Sequence, residues 1–145
     1  MADYIAALPM SLFFLDFDHN SPNAEHLKAH HESFFLNIRE KNPDLPVIMA
    51  TKTDIPRSPA AEKSNAAHRA VVYETYENAV KRGDRNVIFI DGATVFSKAL
   101  TLSAPADSCT VDGCHPNDLG FACMAKVFGD AIEKTVSYTH LTLPT

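Results

Sequence analysis

The segment Leu45-Pro-Val-Ile-Met-Ala-Thr51 decides the fold, because it is a short, almost wholly apolar run between polar residues. Such a run is typical of a β-strand that is buried on both faces of a sheet. Two similar runs occur on either side of it along the chain, at residues 11–16 and 86–91. The sequence therefore predicts three buried strands, of which 45–51 is the middle one in chain order.

Amphipathic stretches separate these strands and predict helices. The first is expected to begin at Ser21-Pro22, with Ser21 as N-cap and the proline in the first turn. The second is expected over roughly 60–82, and a third after residue 116. The apolar faces predicted for the three helices are, in order, Leu27, His31, Phe34, Phe35 and Ile38; Val72, Tyr76, Ala79 and Val80; and Phe121, Met124, Val127, Phe128 and Ile132.

Alternation of buried strands and helices predicts the α/β class, with a parallel sheet covered by helices on both faces. Ligands of such three-layer α/β/α folds bind beyond the carboxyl ends of the strands. The loops to inspect are therefore those after Asp16, Thr51 and Asp91, together with the irregular stretch 104–116 before the last helix.

Composition narrows the classes of function. The chain has 145 residues, enough for one domain, and a formal net charge of −5 with no cluster of Lys or Arg, which argues against a nucleic-acid partner. No apolar run reaches the roughly 18 residues of a membrane span, and residues 1–4 show no export signal. The compartment and the oligomeric state stay open. The segment 136–145 resembles the translation of a sequencing adapter, so we assign the domain to residues 1–135 and expect 136–145 to be a non-native tail.

The stretch Val111-Asp-Gly-Cys-His-Pro-Asn117 carries the strongest chemical signal. A general-base histidine needs an acceptor on one ring nitrogen, which fixes the tautomer and leaves the other nitrogen free. Asp112, three residues before His115 in a glycine-containing turn, can be that acceptor. Asn117 or Asp118 is expected to cap the helix that follows. On spacing alone, the alternative interpretation is that Asp112 and His115 are merely loop and helix-cap residues.

Residues 109–121 resemble the last conserved block of the SGNH (GDSL-type) hydrolases, Asp-x-x-His-Pro-x-x-x-Gly, which directly precedes the final helix of that family. The resemblance implies a flavodoxin-like fold and a serine ester hydrolase that works through a Ser-His-Asp triad and an acyl-enzyme. Asp112 and His115 would be catalytic, with no metal or organic cofactor. The substrate would be a small-molecule, carbohydrate or lipid ester.

A second block supports the resemblance. Asp16-Phe-Asp-His-Asn20, at the end of a predicted strand, is similar to the family segment whose asparagine donates to the oxyanion. The resemblance thus assigns Asn20 to the oxyanion hole, where a neutral donor is required. A plain turn asparagine or helix N-cap is the alternative interpretation of Asn20.

The nucleophile of the family is missing. Its Gly-Asp-Ser block would precede Asp16, where this chain has only Ser11 and no glycine. The resemblance therefore covers about residues 3–135, the last two thirds of the domain, and implies that the serine and the N-terminal strand or strands lie outside this chain. We expect the isolated chain to be inactive, and we nominate none of the later serines, which are Ser33, Ser58, Ser64, Ser97, Ser103 and Ser108.

Three alternatives remain open from the residues. Asp16 and Asp18 after an apolar strand also fit a haloacid-dehalogenase-like phosphatase with Mg²⁺, although Gly129-Asp130 falls in a predicted helix and leaves the metal without distal carboxylates. His26 and His30, four apart on a helix and with Asp18 and His19 nearby, could chelate a metal, but no third ligand falls at a recognisable spacing. A non-catalytic remnant is the third alternative.

The three cysteines do not indicate a disulfide framework. Cys109 and Cys114 could form a disulfide or be two small loop residues, whereas Cys123 is expected in the core.

Overall fold

The sheet has three parallel strands, as the sequence predicts. The computed structural model describes residues 1–99 and 106–141, with side chains described up to residue 135. Within these residues β1 (Phe13–Leu15), β2 (Val47–Ala50) and β3 (Val87–Ile90) lie in the order β1-β2-β3. Ile48 is in register with both Phe14 and Ile88. All four residues of β2 are buried, as expected of a central strand covered on both faces.

Helices cover both faces of this sheet. Their bounds are α1 Ala2–Ala6, α2 Ala24–Lys41, α3 Pro59–Lys81, α4 Val95–Ala99 and α5 Asp118–Leu141, with short 3₁₀ turns at Asp18–Asn20, Gly92–Thr94 and Ala106–Cys109. Val47 and Met49 of β2 pack in one core cluster with residues of α2 and α3. Ile48 and Ala50, which point the opposite way, pack with residues of α4 and α5. The predicted three-layer α/β/α class is therefore confirmed.

The predicted start of α2 is wrong by two residues. Asn23, not Ser21, is the N-cap, because its side chain accepts a hydrogen bond from the backbone N–H of His26 at 2.8 Å. The Ser21 hydroxyl instead donates to the Asn23 carbonyl at 3.0 Å. The buried face of α2 is otherwise as predicted, with Phe34 only partly buried.

Some residues predicted to face the core do not. Val80 near the end of α3 is exposed to solvent, and so are Phe121 and Ile132 of α5. The phase of α5 is set by Gly120, whose backbone passes so close to the carbonyl oxygen of Cys109 that a side chain would not fit. The helix therefore packs through Gly120 and Cys123, which turns Phe121 toward solvent.

The free edge of β1 borders an open apolar groove. Among the described residues β1 pairs only with β2, so its other edge has no strand partner. Phe13, Phe14, Leu15, Phe17 and Phe34 line the groove.

No helix in the described part of the chain is long and apolar enough to cross a membrane. Helix α5 continues to Leu141, six residues into the segment 136–145, and the separate origin of that segment stays a prediction.

Candidate active site

A tight turn brings Asp112 and His115 together. Gly113 adopts φ +96°, a conformation that L side chains rarely adopt. Its N–H donates to the Thr110 hydroxyl, and its carbonyl accepts from the N–H of Ile55 at 2.7 Å. The turn is closed by an isolated antiparallel bridge between Thr110 and Pro116. The glycine predicted to permit this turn therefore also joins it to the loop after β2.

The Asp112 carboxylate holds both the ring and the backbone of His115. Its Oδ2 lies 2.6 Å from Nδ1 of His115, and its Oδ1 accepts from the backbone N–H groups of Cys114 and His115, both at 2.8 Å. These hydrogen bonds, the backbone N–H of His115 first, hold the pKa of the Asp112 carboxyl well below its usual range. The carboxylate therefore stays ionised, which favours the tautomer with the proton on Nδ1 and leaves Nε2 of His115 as the acceptor.

The ring of His115 is open to solvent, with 73% of its side chain exposed. Asn117 follows the pair and caps α5: its Oδ1 accepts from the N–H of Gly120 at 3.1 Å, while its Nδ2 donates to the carbonyl of Ser108. The helix cap expected at Asn117 or Asp118 therefore lies at Asn117, and Asp112 and His115 contact each other rather than capping α5. An exposed, oriented imidazole at the carboxyl edge of a parallel sheet can accept a proton from a group that approaches Nε2.

The turn that carries Asn20 lies beside this pair. Asn20 is exposed and ends the 3₁₀ turn after β1, with its backbone N–H bonded to the Phe17 carbonyl at 3.2 Å. Its neighbour His19 places Nε2 3.3 Å from the Sγ of Cys114, which itself precedes His115. The two loops thus touch through residues adjacent to Asn20 and His115, and the oxyanion role of Asn20 stays a prediction.

Asp18 is buried and links two strands instead of facing solvent. It is fully buried, and its Oδ2 accepts from the backbone N–H of Lys52 at 3.1 Å, which ties the end of β1 to the end of β2. Burial raises the pKa of the Asp18 carboxyl, while partial desolvation and the nearby charge of Asp18 raise the pKa of the more exposed Asp16. Asp16, the nucleophile of the phosphatase alternative, is exposed, but Asp18 is enclosed and does not face a phosphoryl group, so the geometry gives that alternative no acid–base residue.

The cysteines are all free thiols. Sγ of Cys109 lies 4.0 Å from Sγ of Cys123 in the core, and Cys123 is buried as predicted. Burial raises the pKa of the Cys109 thiol to about 11. Cys114 faces His19 instead, so the structure does not pair Cys109 with Cys114.

His26 and His30 stack their rings at a centroid distance of 4.3 Å on the exposed surface of α2. Their Nδ1 atoms are engaged locally, with the Ser21 hydroxyl and the His26 carbonyl respectively. In the part of the chain with described side chains, the one group of three that could hold a metal ion is instead His19, Asp54 and Cys114. Sequence reasoning missed this group, since its members lie far apart along the chain.

The model of the GDSL-like lipase/acylhydrolase family matches residues 1–133. The chain belongs to this family. No curated protein matches it.

Two solved structures are similar to this member of the GDSL-like family. One is described as a GDSL-like lipase from Bacteroides ovatus ATCC 8483, with a TM-score of 0.78 and 27% identity over 94% of this chain and 39% of that one. The other is the salicylyl-acyltransferase SsfX3 from a tetracycline biosynthetic pathway, with a TM-score of 0.66 and 25% identity over 86% and 38% of the two chains. The present chain therefore spans about two fifths of the length of each.

Proposed function

We propose that this chain is the histidine-bearing part of a serine ester hydrolase that works through an acyl-enzyme. The observation that carries the proposal is the 2.6 Å contact between Asp112 Oδ2 and His115 Nδ1, in a member of a lipase/acylhydrolase family. In the proposed reaction a serine outside these 145 residues attacks the ester carbonyl. Nε2 of His115 takes the serine proton, and the ionised Asp112 stabilises the imidazolium that forms.

The remaining steps use the same groups. The carbonyl oxygen gains negative charge as the serine adds, and the Asn20 side-chain N–H is the proposed donor to it. His115 returns its proton to the leaving alcohol, and the acyl group stays on the serine. Water then attacks the acyl-enzyme with His115 again as base, which releases the acid. The similarity to an acyltransferase makes a second acceptor, an alcohol in place of water, the alternative end of this sequence.

The test requires the complete enzyme, built by reading the DNA upstream of the Met1 codon and expressing the whole frame. We expect a serine after an apolar strand in that upstream sequence, and hydrolysis of p-nitrophenyl acetate that persists in the presence of a chelator. His115→Ala should lower kcat by about 10⁴-fold or more, and Asp112→Asn by about 10⁴-fold, because the amide no longer fixes the tautomer. Asn20→Ala should lower kcat about 10²- to 10³-fold.

Surface His26 supplies the matched control, since His26→Ala changes a histidine of the same chain that lies outside the proposed triad. Activity retained in His115→Ala would refute the proposal, whereas Mg²⁺-dependent release of phosphate from p-nitrophenyl phosphate would favour the phosphatase alternative. The chain of 145 residues by itself should give no turnover above background. Turnover by this chain that disappears in His115→Ala would show that its nucleophile lies within it.

A further inference from the structure

Three side chains from three separate loops meet beside the Asp112–His115 turn. His19 comes from the turn after β1, Asp54 from the loop after β2, and Cys114 from the turn before α5. Nδ1 of His19 lies 3.3 Å from Oδ1 of Asp54, and Nε2 lies 3.3 Å from Sγ of Cys114. One ligand atom from each residue can be chosen so that all three lie within 4.8 Å of one another.

The carboxylate of Asp54 is incompletely paired. Its Oδ1 is buried, yet it accepts no hydrogen bond from any described residue, because the His19 contact does not have hydrogen-bond geometry. Its Oδ2 lies 4.0 Å from the ammonium of Lys52. A buried anionic oxygen without a partner is costly, so this oxygen is available to a cation.

The chemistry of the three ligands selects the cation. We propose that His19, Asp54 and Cys114 form a site for a divalent cation of the Zn²⁺ class, with a fourth position open to water. Sulfur, imidazole nitrogen and carboxylate oxygen are the ligands that Zn²⁺ takes, at about 2.0–2.3 Å. A soft sulfur ligand disfavours Mg²⁺ and Ca²⁺, which prefer oxygen alone.

Binding requires the three side chains to rearrange around the ion, because His19 now contacts Asp54 through Nδ1 and Cys114 through Nε2. His19 uses one ring nitrogen as ligand, and the three ligand atoms draw together from their present separations around the ion. The Cys114 thiol loses its proton to solvent as the Zn–S bond forms. The ion would join the turn that carries Asn20 to the turn that carries His115, although the site does not depend on the proposed esterase reaction.

The order of contacts, thiol to imidazole to carboxylate, also fits a nucleophilic cysteine with its base. That arrangement needs the carboxylate to hold the imidazole by a hydrogen bond, as Asp112 holds His115. Asp54 Oδ1 makes no such bond. The geometry therefore favours a cation site over a second catalytic triad.

The test uses the reduced 145-residue chain freed of metal with a chelator and titrated with Co²⁺ and Zn²⁺. We expect one ion per chain, a thiolate-to-Co²⁺ charge-transfer absorbance, and displacement of Co²⁺ by Zn²⁺ but not by Mg²⁺. Cys114→Val, which replaces the thiol with an apolar side chain that has no ligand atom, should abolish that absorbance and weaken Zn²⁺ binding at least about 100-fold. Asp54→Asn should weaken binding about 10- to 100-fold.

Two controls separate this site from others. His26→Ala removes the stacked surface histidines as a chelating pair and should leave the affinity and the absorbance unchanged. Zn²⁺ should also protect Cys114 from iodoacetamide, as read by mass spectrometry of the peptide that contains it. Equal Zn²⁺ affinity in the wild type and Cys114→Val would overturn the proposal, as would rapid alkylation of Cys114 that Zn²⁺ does not slow.

Discussion

Protonation of His31 should destabilise the fold below neutral pH. His31 lies on the buried face of α2 with 1% of its surface exposed, and its ring packs at 5.3 Å from that of Phe17. Its Nδ1 lies 2.9 Å from the Thr75 hydroxyl, which itself donates to the Val71 carbonyl. The hydroxyl proton is thus used, so Nδ1 carries the proton of a neutral imidazole and donates to Thr75.

Burial lowers the pKa of His31 from 6.5 to about 4, while nearby Glu32 acts weakly in the opposite direction. Between these two pH values the unfolded chain binds a proton that the folded chain does not. The free energy of unfolding therefore falls as the pH drops from about 6.5 to about 4, and this group has no effect above that range. At about 1.4 kcal/mol for each pH unit, the full loss is about 3 kcal/mol.

The measurement is urea denaturation followed by circular dichroism at pH 7.5, 6.0, 5.0 and 4.0, compared with His31→Gln at each pH. Gln keeps a donor for Thr75 but does not titrate, so the difference between the two proteins isolates His31. Asp16 and Asp18, whose raised pKa values act with the opposite sign, cancel in that difference. Parallel pH dependences for the wild type and His31→Gln would refute the reasoning.

Two further predictions concern the free edge of β1 and the turn from Asp112 to His115. The unpaired edge of β1 beside its apolar groove should make the chain self-associate, and sedimentation velocity should show that association increases with concentration. A monomer at every concentration would contradict this prediction. The urea experiments should therefore be done at submicromolar concentration. Gly113→Ala should cost about 1–3 kcal/mol of unfolding free energy, because its Cβ would lie 2.7 Å from the Ile55 carbonyl oxygen in addition to the strain of positive φ. Gly83→Ala is the control, since Gly83 has φ +86° with open space around it. If both substitutions lower the free energy of unfolding equally, the predicted clash with Ile55 does not contribute.

Local patterns predicted the elements of this fold well. The apolar runs gave three parallel strands, and helical spacing gave Leu27, His31, Phe35 and Ile38 of α2 as its buried face. The rotation of a helix about its axis and the residues at which it begins and ends were harder to predict, because a periodic pattern does not say which neighbouring segment the helix contacts. Phe121 points to solvent because the close approach of Gly120 to Cys109, a contact between two segments, sets the rotation of α5.

The same distinction applies to the candidate site. The Asp112–His115 pair was predictable, because the hydrogen bonds that the Asp112 carboxylate accepts from described residues all come from within three residues of it. The His19–Asp54–Cys114 group was not, because its members lie 35 and 60 residues apart and meet only through the packing of three loops. The position of Asn20 relative to His115 depends on the same packing, so sequence alone could assign its role only by resemblance.

The Asp112–His115 pair and the turn of Asn20 are held in place in different ways, which matters for the complete enzyme that we propose. Because the Asp112–His115 pair is built within one turn, its orientation does not require the nucleophile to be present. The ring is 73% exposed, and its Nε2 has no partner among the described residues, so that nitrogen is available to a serine from another segment. Asn20, the proposed oxyanion donor, is different, because its turn contacts the histidine turn through His19 and Cys114. A cation at that contact would therefore act on the placement of Asn20 more than on His115. Its removal by a chelator would change kcat in the complete enzyme without abolishing hydrolysis, because the Asp112–His115 pair stays in place.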